Sequence, residues 1–223
     1  FTDTYFDAIT TSFQATAQEL DFSDPGAKDI INQWVRDQTN GRIDSIIDLI
    51  SPLDILFLIN AVYFKGDWTT QFKKSDTQPA PFYRDDGATI SVPMMSGKIE
   101  HLGLASIGGG RIAGELPYGG KAFGMVIVLP APGETVDELL SDLNDGSWAS
   151  WMDALHESEG MVRMPKFELE WDGLFNTALK EMGMPKAFNP LEADFSRMTP
   201  ATDAHISAVR QKTYMRVDEE GTE

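Results

Sequence analysis

The sequence predicts an α+β fold, rich in strand, arranged as one domain. Apolar residues recur at helical spacing near the start of the chain, and later apolar runs have strand length and end at Gly or Pro. No internal repeat, low-complexity stretch or linker divides residues 1–223.

Phe1, Tyr5, Ile9 and Phe13 recur as one face of an amphipathic helix. Residues 18–22 read as an extended link. Asp24-Pro25 supplies a cap and a first-turn proline, Ala27, Ile30, Ile31 and Trp34 the buried stripe, and Asn40-Gly41 the stop. Ile43, Ile46, Ile47 and Ile50 suggest a further short helix. Residues 55–64 are apolar on both alternating faces, broken only by Asn60, and predict a central strand covered on both sides. Residues 89–95 predict another strand. Gly108-Gly109-Gly110 marks a turn between two more, and residues 122–129 form a buried strand closed by Pro130.

Thr135 and Glu138 have capping-box spacing, and Ser147 is a cap for a helix carrying Trp148, Trp151, Met152 and Leu155. Residues 161–171 predict a strand interrupted at Pro165. Asp172 is expected to cap a helix with Leu174, Phe175, Leu179 and Met182 that closes at Gly183. The last strand is expected over residues 206–217.

Charge narrows the function classes. With 18 Lys+Arg against 35 Asp+Glu, the net charge of −17 argues against a nucleic-acid binder and equally against docking on an anionic membrane. It suits a solvated surface instead. No cysteine is present, so disulfides, thiolate catalysis and cysteine-based metal sites are excluded. The opening residues show no leader pattern, and the longest apolar stretch is about half a membrane span.

Motifs for catalysis are missing. His101, His156 and His205 form no H-E-x-x-H pair, no G-x-S-x-G elbow occurs, and the glycine triplet has neither P-loop nor dinucleotide spacing. Asp85-Asp86-Gly87 and Asn144-Asp145-Gly146 lack the remaining oxygens of a calcium loop and read as tight turns. No metal or cofactor is expected.

Ile31-Asn32-Gln33-Trp34-Val35 followed by Thr39-Asn40-Gly41-Arg42-Ile43 resembles the serpins, the serine protease inhibitor family. Residues 58–68 (LINAVYFKGDW), Val92-Pro93-Met94-Met95, Leu116-Pro117-Tyr118, Pro165-Lys166-Phe167 and Ala193-Asp194-Phe195-Ser196 follow in the family's order. Glu219-Glu220-Gly221-Thr222-Glu223 resembles the proximal hinge leading into the reactive loop. By the family pattern the chain starts near the fifth helix and ends at that hinge. The N-terminal helices, the reactive loop and the C-terminal strands are then expected outside it.

The resemblance implies a serpin fold, with a large mixed sheet, further sheets and surrounding helices. It also implies a metastable suicide inhibitor rather than an enzyme. A protease cleaves the loop, and the loop then inserts into the large sheet and traps the acyl-enzyme. The implied partner is a serine protease, with a cysteine protease as second candidate; the intact protein is expected to be monomeric and extracellular rather than cytoplasmic. The alternative is a non-inhibitory serpin acting as carrier, chaperone or storage protein. An unrelated hydrolase lacks a nucleophile–base pair.

Several residues match family positions. Glu219, Glu220, Gly221, Thr222 and Glu223 match the hinge, and small or β-branched residues there ease entry into a sheet. From the residues alone, this stretch is simply a turn ending a strand. Asn60 and Gln211 match the shutter, where the sheet parts. Asn60 is expected to be a buried, hydrogen-bonded amide. Gln211 stands where the family usually has a histidine, which removes a titrating group; an exposed strand residue is its plain alternative. Trp68 matches the breach at the top of the sheet, with packing its plain role. Lys166 and Glu219 match a salt bridge near the hinge, worth about 0–1 kcal/mol if exposed.

Overall fold

A computed structural model of the chain describes residues 1–84, 86–201 and 203–223. In chain order it contains α1 (Asp3–Phe13), α2 (Ala27–Gln38), β1 (Gly66–Asp67), β2 (Gln78–Tyr83), β3 (Thr89–Ser106), β4 (Ile112–Tyr118) and β5 (Phe123–Leu129). There follow α3 (Val136–Ser141), α4 (Asp145–Ala154), β6 (His156–Pro165), β7 (Phe167–Leu174), α5 (Asn176–Glu181), β8 (Arg210–Val217) and β9 (Gly221–Thr222). One sheet has the order β1-β9-β8-β7; a second runs β2-β3-β4-β5, with β6 also paired to β3. The α+β expectation holds. The chain forms two compact units, one of residues 1–63 and 170–214, the other of residues 64–169 and 215–223.

In the first unit, Thr2 caps α1 by accepting from the Tyr5 N–H. Asp24 accepts from the Gly26 N–H just ahead of α2, two residues before the N-cap position, which Gly26 occupies. The buried stripe of α2 is Ala27, Ile31 and Val35; Ile30 and Trp34, expected to be buried, face solvent. Asn40 and Gly41 take φ of 52° and 76°, the left-handed geometry that ends a helix.

The short helix expected at Ile43–Ile50 does not form. Buried Asn32 accepts from the N–H groups of Ile46 (2.9 Å) and Ile47 (3.0 Å) and donates to the Ile47 carbonyl (2.8 Å). An amide side chain thus takes the backbone groups a helix would need. Residues 55–64 are not a strand either, and Leu58 and Val62 are 80% and 79% exposed. A strand apolar on both faces requires flanking strands and two covering layers.

Asp172, expected as a helix cap, lies within β7, where Arg210 Nε (2.7 Å) and Lys212 Nζ (3.3 Å) hold its carboxylate. These cations, Arg210 first, lower its pKa to about 2. The helix α5 begins later, without a side-chain cap, and Gly183 at φ 104° does close it.

The second unit holds the core of Trp68, Phe72, Met95, Ile99, Leu102, Leu116, Tyr118, Met164 and Val217. The strand expected at residues 89–95 continues to Ser106, because β3 finds β2 and β4 along one side and β6 along the other. Lys166 breaks the expected 161–171 strand into β6 and β7. Thr135 and Glu138 form the expected capping box. At α4 the cap is Asn144, not Ser147; Ser147 is the reciprocal third residue of that box, and only Trp151 of the expected face is fully buried. Asn144-Asp145-Gly146 is therefore a helix start. Asp85 of the other acidic turn lies outside the described residues. Arg111, beside the glycine triplet, is clasped by Glu134 and by Asp142 (2.7 Å).

Candidate functional site

The site is built where the end of β8 turns into β9. Val217, fully buried, anchors the hairpin in the core and pairs with Thr222. On the other side of β9, Gly66 pairs with Thr222 and Asp67 with Gly221. The Gly221-Thr222 dipeptide therefore sits as a strand between β1 and β8. A glycine is obligatory there: a Cβ on Gly221 would overlap the Gly66 carbonyl oxygen and lie 2.8 Å from Asp67 Cα. Gly66 is confined less absolutely, by side chains rather than backbone, since a Cβ would lie 2.8 Å from the rings of Phe64 and Tyr118.

Thr222 turns its hydroxyl inward, where it accepts a 2.6 Å hydrogen bond from Tyr118 Oη. Burial pushes the Tyr118 hydroxyl's pKa up, and the bond to Thr222 only partly opposes this. Tyr118 is stacked on Trp68 at 4.6 Å between ring centroids and 13° between planes. Trp68, 3% exposed, donates its indole N–H to the Asp218 carbonyl (2.9 Å) and its backbone N–H to that of Glu220 (2.8 Å).

Glu219 and Glu220 form the turn, and the segment after β1 holds both. Phe72 N–H reaches the Glu219 carbonyl (3.0 Å), Thr77 Oγ1 donates to Glu219 Oε1 (2.8 Å), and Gln71 Nε2 donates to the Glu220 carbonyl (3.3 Å). Lys166 Nζ meets Glu219 Oε2 at 2.9 Å, with the Glu219 side chain 5% exposed and that of Lys166 42%. Burial pushes the Glu219 carboxyl up, but hydrogen bonds led by Lys166 outweigh it and hold the group below its ordinary value. Lys74 Nζ bonds Glu220 Oε1 at 2.6 Å, and that bond raises the lysine's pKa. Glu223 exchanges backbone hydrogen bonds with Arg216 (2.8 and 2.7 Å).

Trp68, Lys166 and residues 219–223 thus form one continuous cluster. Asn60 and Gln211 belong to the first unit. Asn60 is exposed in the 55–64 stretch, which overturns its expected burial: with no strand formed there, nothing excludes water from the amide. Gln211 is an exposed residue of β8, as its plain alternative had it. Sequence reasoning gives no role to Thr77, Lys74 or Asp218, and includes Tyr118 only as part of the Leu116-Pro117-Tyr118 fragment. The partners of Tyr118, Thr77 and Lys74 are distant along the chain, 104 residues for Tyr118–Thr222, 142 for Thr77–Glu219 and 146 for Lys74–Glu220, so no local pattern marks them. Asp218 instead bonds Glu220 and Gly221 close by, a turn signal the sequence does carry.

No group of three or more metal-ligating side chains occurs among the described residues, nor any helix long and apolar enough to cross a membrane. What the arrangement shows is a short strand, β9, held between β1 and β8.

The family model for serpins (serine protease inhibitors) matches residues 1–223. The chain is 33% identical to Serpin B11 of Homo sapiens over all of its length and 58% of that protein. It is 32% identical to Antithrombin-III of Mus musculus over its whole length and 49% of that protein. A thermophilic serpin, tengpin, solved in the latent state, superposes with a TM-score of 0.83 at 27% identity, covering 97% of this chain and 59% of that one. The chain thus spans about half the length of the curated relatives it matches, and by the family model, these relatives and the shared fold it belongs to the serpin family.

Proposed function

We propose that this chain supplies the sheet and proximal hinge of a serpin-type suicide inhibitor of a serine protease, both compact units belonging to one serpin domain. One observation carries the proposal: Gly221-Thr222 is seated as a strand between β1 and β8, with Gly221 in contact with backbone and Thr222 buried. Strand addition of this kind draws on main-chain pairing and burial of alternate side chains. A hinge already aligned with its slot lets a cleaved loop zip in behind it. The free energy so released, stored in a kinetically held starting state, pulls on the attached protease.

In this scheme residues 219–223 are the hinge, Trp68 and Lys166 the breach that receives it, and Asn60 and Gln211 the shutter along the path. No residue of the inhibitor performs chemistry. The protease cleaves, and the inhibitor changes fold.

The test is to incubate the full-length protein with trypsin-like, chymotrypsin-like and subtilisin-like serine proteases and a papain-like cysteine protease. A covalent complex that survives SDS supports the trap. Clean cleavage by each enzyme without complex overturns it in favour of a carrier, chaperone or storage serpin.

A further inference from the structure

We infer that Asp218 is the positioning residue that sets the hinge in register. This inference rests on the inhibitory reading above and deepens it. The β8–β9 connection is a tight turn with Glu219 and Glu220 at its centre, closed by the Asp218 N–H to the Gly221 carbonyl (3.0 Å). Two-residue hairpins normally use turns with a central residue at positive φ, because those match the twist of the strands. Neither Glu219 nor Glu220 has a positive φ. Backbone preference alone therefore does not close this hairpin.

Asp218 supplies what is missing. Its Oδ1 accepts from the N–H of Glu220 (2.9 Å) and of Gly221 (3.3 Å), the bonds by which an aspartate at the first position of a turn mimics a further backbone loop. Its Oδ2 accepts from Arg216 Nη2 (2.9 Å), two residues back on the same face of β8. Its carbonyl accepts the Trp68 indole N–H (2.9 Å). One side chain thus ties the first hinge amides to the strand that precedes them, and its backbone ties both to Trp68. If Oδ1 is removed, two turn amides lose their acceptor, and Gly221 is no longer aimed at the narrow gap beside Gly66.

The test compares Asp218→Ala with Asp218→Asn in the full-length protein, reading amide hydrogen exchange at Glu220 and Gly221 and the stoichiometry of inhibition against a protease that the wild type traps. Asp218→Asn keeps an oxygen at Oδ1 but not the charge, and is expected to retain most of the wild-type protection and stoichiometry that Asp218→Ala loses. Asp218→Ala is expected to lose about tenfold protection at the two amides, the loss of roughly one net hydrogen bond. Its stoichiometry is expected to rise several-fold while the rate of initial protease docking stays unchanged. Unchanged protection in Asp218→Ala overturns the inference. So does lost protection with unchanged stoichiometry, or failure of Asp218→Asn to restore either. A wild type that traps no protease overturns the inhibitory reading instead, and the amide protection of the two variants still decides whether Asp218 sets the turn.

Discussion

Tyr118 Oη donates to Thr222 Oγ1 at 2.6 Å, a pair of buried hydroxyls joining the end of β4 to the hinge strand. With Trp68 stacked behind Tyr118, the bond connects hinge seating to the aromatic core. Tyr118→Phe leaves the Thr222 hydroxyl buried without its donor, at a cost of about 1–3 kcal/mol. Adding Thr222→Val removes both polar groups and is expected to recover much of that loss. Denaturant unfolding of the two single variants and the double checks the cycle; strictly additive losses would show that the pair is not coupled.

Gly221→Ala places a methyl group against the carbonyl of Gly66, and neither backbone can yield without breaking the β1–β9 pairing. The expected outcome is a hinge unseated from β1 in a protein that otherwise folds. Amide exchange at Thr222 should rise to that of an unpaired strand, with a change in Trp68 fluorescence as its contact with the turn is lost. Wild-type exchange and fluorescence in the variant would mean that the hinge has room the structure does not show.

Much of this arrangement is legible in the sequence where local chemistry dictates it. The stop at Asn40-Gly41, the box at Thr135–Glu138 and the strand before Pro130 follow from residue types at fixed spacing. Where a distant side chain competes, the pattern misleads. Asn32 captures Ile46 and Ile47 and prevents a helix, and Arg210 with Lys212 draws Asp172 into a strand. For residues 55–64 the apolar pattern records the environment a strand needs, and no described segment supplies it. The hinge, Trp68 and Lys166 were found by family likeness. Tyr118 is marked only within a family fragment, and its bond to Thr222, like that of Thr77 to Glu219, becomes visible only once the fold has brought distant residues together, while the Asp218 turn bonds are local.

Lys166→Ala tests whether the ion pair with Glu219 restrains the hinge. A fully exposed pair would contribute about 0–1 kcal/mol, but here the carboxylate is buried and the ammonium half-buried. Removing the cation leaves Glu219 with Thr77 as its remaining side-chain donor, and a loss of about 1–2 kcal/mol is expected after allowing for screening at the lysine. The functional readout is the rate of spontaneous loop insertion and of polymerisation in the full-length protein; both should rise. Rates equal to wild type would reduce the bridge to a packing contact.

Acid should loosen the hinge at a defined point. Asp218 and Glu219 both have folded values below their ordinary 3.8 and 4.5, because the donors around each outweigh the opposing effect of burial. A carboxyl lowered by folding stabilises the fold as its anion. That contribution is complete above the ordinary value and disappears as pH falls through the depressed one. Protection of the Glu220 and Gly221 amides, after correction for intrinsic exchange, should therefore be level from about pH 7 to pH 5 and decline only below about pH 4. Asp218→Asn, which cannot ionise, should flatten part of that decline. Loosening that set in between about pH 7 and pH 6 would show that groups other than these two carboxylates govern the hinge.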